Sequence, residues 1–279
     1  MSAAMDVVQP AAGVREGVRE VAHAFGDGLV GVLAHPPAGT PAQPVAMVLF
    51  NAGLVPRGGP HRGSVELARA LAGDGFPTLR FDWSGLGDSP LASAPDAGLR
   101  ARELDAALAL VTAETGIDRF VVGGICSAAD HAFRLAPDEP RIVGLLLLDG
   151  LAYRTAGFWL RHLPPRLLRP RRLWRWLRQR GRQPAMADFR DFPPRREAAA
   201  TLQALVARGV RVLAVFTGGA YPYFNHAGQA GCLGPATRSP RFSLAYWREC
   251  DHTFYLRRDR ARLAGAVRAW MRREFVPAH

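Results

Sequence analysis

Residues 120–129 read FVVGGICSAA, the most informative ten residues of the chain. A short apolar run ends in two glycines, and a helical pattern follows it. A sharp strand-to-helix turn exposes one side chain and needs small residues two positions before and after it, because the strained backbone brings these neighbours into contact. Counting from Cys126 places Gly124 and Ala128 there, whereas counting from Ser127 places a β-branched isoleucine there. The stretch therefore predicts Cys126 as a nucleophile at a helix N-terminus, whose dipole favours a thiolate.

On both sides of this stretch, short apolar runs alternate with longer helical patterns. Continuous apolar strands separated by helices are typical of a mainly parallel sheet that is covered on both faces. A hairpin with a glycine-containing turn comes first. The predicted strands are 18–25, 29–33, 45–50, 78–81, 120–122, 142–148, 210–216 and 242–247, and the predicted helices are 65–72, 99–112, 128–135, 198–207 and 261–270.

The composition favours a folded protein with one large core, since the chain has 279 residues and is 48% hydrophobic. Three cysteines are too few and too scattered for a disulfide framework or a cysteine-rich zinc site. The first 40 residues lack a signal-peptide pattern, and the longest apolar run, residues 142–148, is too short to span a bilayer. We therefore expect a cytoplasmic protein without a transmembrane segment, and we expect no metal and no cofactor.

Residues 151–197 interrupt the alternation and predict a helical lid over the carboxyl ends of the strands. Nine arginines lie between residues 161 and 182 with no Asp or Glu among them, and Trp159 and two further tryptophans are interleaved nearby. Such a surface suits an amphiphile with an anionic part, such as an acyl-CoA or an acyl group on an acidic carrier protein. The alternative is a pair of amphipathic helices with solvated arginines. The net charge is +12, and every basic residue that contributes to it is arginine. The sequence contains no nucleic-acid-binding module, so we expect no nucleic-acid partner.

The segment Asp251-His252-Thr253-Phe254 follows the last predicted strand and precedes the last helix. A general base must lie there to meet the elbow across the end of the sheet, which makes His252 the candidate base. An oxyanion hole needs two backbone N–H groups aimed at one point. Ser127 supplies one, and Ala52 or Gly53, in the loop after the 45–50 strand, supplies the other; we favour Ala52.

These motifs, together with RFDWSGLGDS at residues 80–89, resemble the α/β-hydrolase superfamily, in particular its serine-aminopeptidase-like, lid-bearing branch. The resemblance covers about residues 18 to 275. It implies the α/β-hydrolase fold, with a core of residues 18–150 and 198–279, a lid of residues 151–197 and a flexible N-terminus of residues 1–17. It also implies that Asp82 and Asp88 are scaffold residues in a structural turn.

The sequence departs from the superfamily pattern at two places. Cysteine stands where serine is usual, and the loop after the 210–216 strand contains no carboxylate for the third member of a triad. Asp149, at the end of the strand before the lid, is an alternative seat for the acid. Asn225 is the other candidate, because an amide orients the histidine in some Cys–His enzymes. Further residues expected to contact substrate are Asn51, Leu54, His61 and Trp159, again with Asn225.

Three functions are compatible with these residues. The first is a hydrolase that cleaves a small-molecule acyl ester or thioester through a covalent acyl-cysteine. The second is an acyltransferase that passes the acyl group from CoA or a carrier protein to an amine or alcohol. The third is a non-catalytic binding protein with the same fold, which the displaced acid would explain.

Overall fold

The structure is a computed structural model that describes residues 17–162, 174, 190, 192–220 and 223–276. Its centre is one eight-stranded sheet. The strands are β1 (Arg19–Phe25), β2 (Leu29–His35), β3 (Ala46–Phe50), β4 (Thr78–Phe81), β5 (Phe120–Ile125), β6 (Ile142–Leu148), β7 (Arg211–Thr217) and β8 (Phe242–Trp247). Their order across the sheet is β1-β2-β4-β3-β5-β6-β7-β8.

Antiparallel pairing is confined to one end of this sheet. β1 pairs with β2 and β2 pairs with β4 in antiparallel fashion, and all other neighbours are parallel. Gly26 and Gly28 take φ values of 51° and 92° in the turn between β1 and β2, a region that glycine enters at little cost. The predicted hairpin and the mainly parallel sheet are therefore confirmed.

Helices cover both faces of the sheet. They are α1 (Gly63–Ala72), α2 (Leu99–Thr115), α3 (Ser127–Leu135), α4 (Ala156–His162), α5 (Arg195–Ala207) and α6 (Arg257–Phe275). Successive residues of a buried strand point to opposite faces. Ala46, Val48 and Phe50 of β3 pack with α2, α3 and α5, and Met47 and Leu49 pack with α1 and α6.

Each predicted strand and core helix is present, with small differences at the ends. The last helix is longer than predicted and begins at Arg257. Its arginines are mostly exposed, and its buried side chains include Leu263, Val267 and Trp270. A prediction from apolar residues detects only the buried side of such a helix, so it leaves out helix ends made of charged residues. α5 likewise begins at Arg195, three residues before the predicted core boundary.

The predicted lid is described only in part. Its first residues form α4, and Trp174 and Arg190 are described within it. Residues 163–173, 175–189 and 191, and residues 1–16 of the predicted flexible N-terminus, lie outside the described residues. Within the described part of the chain, no helix combines the length and the apolar character that crossing a membrane requires.

Candidate active site

Cys126 occupies the turn between β5 and α3. Its backbone has φ 59° and ψ −123°, a strained conformation for a residue with a side chain. A Cβ atom at Gly124 would lie 2.7 Å from the Cβ of Ala128 and 3.0 Å from the carbonyl oxygen of Phe50. Small residues are therefore required at positions 124 and 128, as the sequence indicates, and Ser127 instead begins the helix.

The carboxyl ends of β6 and β7 bring an acid to His252. Asp149 directly follows β6, is fully buried, and its Oδ2 lies 2.7 Å from Nδ1 of His252. Thr217, the last residue of β7, donates to the Asp149 carboxylate from its backbone N–H and from its hydroxyl, both at 2.6 Å. The end of β7 thus supplies hydrogen bonds that hold the acid, while the acid itself comes from β6. Sequence reasoning missed Thr217, which carries no motif of its own.

The electrostatics of the site favour a thiolate paired with an imidazolium. Burial raises the pKa of the Cys126 thiol, but the hydrogen bond to His252, the charge of Arg190 and the Ser127 N–H together lower this pKa below its ordinary value. Hydrogen bonds to Asp149 and to Cys126 raise the pKa of His252 to about 9, against the opposing effect of burial. Such a pair titrates as a unit, and its charged form contains a thiolate, the reactive form of cysteine.

The two candidate oxyanion loops meet beside the thiol. The Gly53 N–H donates to the Ser127 hydroxyl oxygen at 2.8 Å, so this amide already has an acceptor. The Ala52 N–H has no hydrogen-bond acceptor among the described residues. Of the two candidates, Ala52 is therefore the one whose amide is free to bind an oxyanion. Gly53 instead ties its loop to the start of α3.

Asn51 supports this loop and does not face a substrate. It is 3% exposed, its Nδ2 donates to the Gly53 carbonyl at 3.3 Å, and its Oδ1 accepts from the Trp83 N–H at 3.1 Å. The expected substrate contact at Asn51 is therefore replaced by a structural role, because both ends of its amide are used inside the protein. Leu54, three residues later, is 87% exposed on the loop.

The remaining predicted contact residues lie at different distances from the chemistry. His61 Nε2 lies 3.3 Å from the hydroxyl of Thr253, the residue after His252, so His61 borders the site. Trp159 is half-buried in α4. Asn225 donates from Nδ2 to the Phe158 carbonyl at 3.1 Å and so binds α4. The alternative in which Asn225 orients His252 is not what the structure has, since Asp149 occupies Nδ1 of that ring.

A second buried network lies under the elbow, and the sequence analysis did not find it. Arg190, from the predicted lid segment, forms two hydrogen bonds of 2.7 Å with Asp130 of α3. The available signal was Asp130, which lies one helical turn after Cys126 on a side of α3 rich in buried alanine. A carboxylate in such surroundings requires a cation nearby. Sequence alone could not choose its partner among so many arginines.

The turn after β4 has the expected scaffold character. Asp82 is fully buried and accepts from the backbone N–H and the guanidinium of Arg57, both at 2.5 Å, and Asp88 pairs with Arg57 at 2.6 Å. A Cβ at Gly87 would collide with the Asp82 carboxylate. These carboxylates are used to close the turn.

The structure also brings together three side chains of the types that bind metal ions, and their spacing in the sequence gave no sign of this. One ligand atom each of His23, His35 and Glu114 lie within 4.8 Å of one another, and His23 Nδ1 is 3.9 Å from Glu114 Oε1. The histidines come from β1 and β2, at the antiparallel edge of the sheet, and β4 and β3 separate β2 from the strand that carries Cys126. The cluster contributes no group to the site at the elbow.

Comparison with known proteins gives a structural answer. No protein-family model and no curated protein matches the sequence. Among solved structures, an α/β serine hydrolase without a lid from Xanthomonas campestris is similar, with 16% identity over 95% of this chain and 98% of that chain and a TM-score of 0.53. An esterase domain from Rhodothermus marinus has 20% identity, 92% and 98% coverage and a TM-score of 0.54. A dienelactone hydrolase from Anabaena variabilis has 16% identity, 93% and 100% coverage and a TM-score of 0.56.

The similar solved structures support the fold that the resemblance implies, but they do not support its lid-bearing branch. The neighbour from Xanthomonas campestris is described as lacking a lid, so the lid-bearing branch is not supported, and the lid over residues 151–197 stays a prediction. Three observations indicate the same fold: the strand order, the elbow at Cys126 and the near-complete coverage of these solved structures. The chain has the α/β-hydrolase fold.

Proposed function

We propose that this protein is a hydrolase that cleaves an acyl ester or thioester through a covalent acyl-cysteine. The observation that carries the proposal is the arrangement at the elbow. Cys126 stands on a turn with positive φ, its interaction with His252 lowers the pKa of its thiol, and Asp149 lies 2.7 Å from Nδ1 of His252. Acyl transfer requires a nucleophile, a base and an acid that orients the base, and we assign these roles to Cys126, His252 and Asp149.

The reaction follows from these contacts. The Cys126 thiolate attacks the carbonyl carbon, and the oxyanion that forms is bound by the N–H groups of Ala52 and Ser127. When the bond to the leaving group breaks, His252 gives its proton to the departing alcohol or thiol. The neutral His252 then takes a proton from water, the hydroxide attacks the thioester carbonyl, and the carbon–sulfur bond breaks. This releases the acid and restores the thiolate and the imidazolium.

A pocket lies beside the elbow. Its lining includes Gly124 and Ile125 on one side of the nucleophile and Thr253 next to His252. The side chains of Leu49 and Phe254 make its wall largely apolar. We therefore favour a small-molecule acyl substrate. The arginines of residues 161–182 are the reason to include acyl-CoA among the substrates tested.

The proposal is tested by intact-protein mass spectrometry after brief exposure to acyl-CoA and acyl esters, with peptide mapping. We expect a labile acyl adduct on Cys126 that prior treatment with iodoacetamide prevents. Discharge of this adduct by water identifies a hydrolase. Discharge that requires an added amine or alcohol would identify an acyltransferase. Absence of any adduct, with a thiol that also resists alkylation, would instead indicate a binding protein.

The pH dependence of acyl-enzyme formation should follow the charged pair. The thiolate is present above the lowered pKa of Cys126, and the imidazolium is present below the pKa of His252, which is about 9. We therefore expect a bell-shaped profile of kcat/KM whose alkaline limb falls near pH 9. Initial rates between pH 5 and 10 at constant ionic strength measure it. A rate that continues to rise above pH 9 would show that the imidazolium is not the required acid.

A further inference from the structure

Arg190 places a positive charge under the elbow. Its side chain is 6% exposed and paired with Asp130. Its Nη2 also donates to the carbonyl oxygen of Cys126 at 3.2 Å, and its Nη1 donates to the carbonyl oxygen of Asp149 at 2.9 Å and to the Tyr223 hydroxyl at 2.9 Å. One guanidinium thus contacts the main chain of both the proposed nucleophile and the proposed acid.

The two residues whose carbonyls it binds share an unusual backbone. Cys126 has φ 59° and Asp149 has φ 46°, and neither is glycine. Positive φ is unfavourable for residues that carry a side chain, and it persists where the surroundings hold it. The planar guanidinium is suited to this task, because its several donors have a fixed geometry. An ion pair with Asp130 alone would not require contacts with these two carbonyls.

The position of the charge matters for the thiol as well. The titratable groups beside the thiol are His252 and Arg190, and these in turn contact Asp130, Asp149 and Tyr223. The Arg190 charge acts directly on the Cys126 thiol and favours the thiolate. Burial raises the pKa of Tyr223, so this neighbour is neutral and donates no competing negative charge.

We propose that Arg190 is a positioning residue for Cys126, which holds the carbonyls of Cys126 and Asp149 in their strained conformations and stabilises the thiolate through its positive charge. This inference deepens the proposed function, because it rests on Cys126 as the nucleophile. It assigns a role in the chemistry to a residue of the inserted segment, which otherwise contributes no group to the elbow among its described residues.

The test is the rate at which iodoacetamide alkylates Cys126 as a function of pH, followed on the Cys126 peptide so that the other two thiols do not interfere. For Arg190→Met, we expect the midpoint of the alkylation profile to rise by about one pH unit, since the guanidinium lies 3.2 Å from the Cys126 carbonyl oxygen and a neighbouring opposite charge lowers a pKa by that order. Arg190→Lys retains a charge but not the planar set of donors. Its midpoint should therefore lie between those of the wild type and Arg190→Met.

The matched control is Arg80→Met, which also removes a largely buried arginine paired with a carboxylate. Arg80 lies on β4, its side chain is 10% exposed, and it pairs with Glu20 at 2.7 Å. We expect its midpoint to equal that of the wild type even where thermal unfolding shows a comparable loss of stability. If Arg190→Met fails to fold, Arg190→Lys and Arg80→Met still give the comparison.

Three results would overturn the inference. They are a wild-type midpoint in folded Arg190→Met, a wild-type midpoint in Arg190→Lys where Arg190→Met does not fold, and an equal shift in Arg80→Met, which would report general destabilisation. The alkylation assay needs no acyl substrate. A protein that forms no acyl adduct but shows the shift would therefore refute the proposed hydrolase while leaving the effect of Arg190 on the thiol intact.

Discussion

Replacement of Cys126 by alanine is expected to lower the turnover of acyl esters and thioesters by a factor of roughly 10⁴ or more, because the covalent step loses its nucleophile. Cys126→Ser should retain part of the activity, since a hydroxyl at the same strained turn still lies within reach of His252. Initial rates with one activated ester, at matched protein concentration, compare the variants. The fold should survive, because Cys126 is half-buried and is not among the residues of the two apolar core clusters.

The chain offers a matched control for this loss. Cys232 is also half-buried and free, and it lies in the 3₁₀ helix Ala227–Leu233, away from the elbow. Cys232→Ala should therefore have activity close to that of the wild type. Equal activity in Cys126→Ala and the wild type would remove Cys126 as the nucleophile, whatever the behaviour of Cys232→Ala.

The second large effect is expected for Asp149→Asn. The substitution keeps the shape of the side chain but removes the charge that lies 2.7 Å from His252 Nδ1. Without that charge the pKa of His252 should fall well below about 9, and the ring loses the acceptor that selects its orientation. We expect kcat to fall by roughly 10² to 10⁴, the upper figure being that of the corresponding change in a serine protease. Cysteine depends less on the acid than serine does.

Two measurements separate this role from a loss of folding. NMR titration of the His252 ring protons reports its pKa directly, and circular dichroism reports the fold. Asp251→Asn is the control, because Asp251 neighbours His252 in sequence but accepts from the N–H groups of Thr253 and Tyr255 at 2.8 and 2.9 Å. A titration of His252 that is the same in Asp149→Asn and the wild type would remove Asp149 from the site.

Much of the fold could be read from local pattern. The bounds of β4, β6 and β8 agree with those predicted. For β6, whose residues read IVGLLLL, the reason is that a strand buried on both faces is apolar along its length. The choice of Cys126 over Ser127 at the elbow also rests on local sterics. A Cβ at Gly124 would lie 2.7 Å from that of Ala128, so the small residues mark the turn without knowledge of the rest of the chain.

Other features have no local signature. Asn51 was expected to contact substrate because its loop does, but the direction of its side chain depends on Trp83, 32 residues away. The sequence favours Ala52 over Gly53 as the oxyanion donor, but it gives no sign that the Ser127 hydroxyl accepts from the Gly53 N–H, since the two residues are 74 positions apart. In both cases the deciding partner comes from another strand end.

The alternation of strands and helices, the candidate nucleophile at the elbow and the candidate base after the last strand are all visible in the chain before it folds, because steric size and apolar period act between residues close in the chain. The contact between Asp149 and His252, 103 residues later, and the pairing of Arg190 with Asp130 appear only in the folded molecule. Electrostatic contacts of this kind depend on which strand ends are neighbours in the sheet. That order is a property of the folded chain, and no local pattern encodes it.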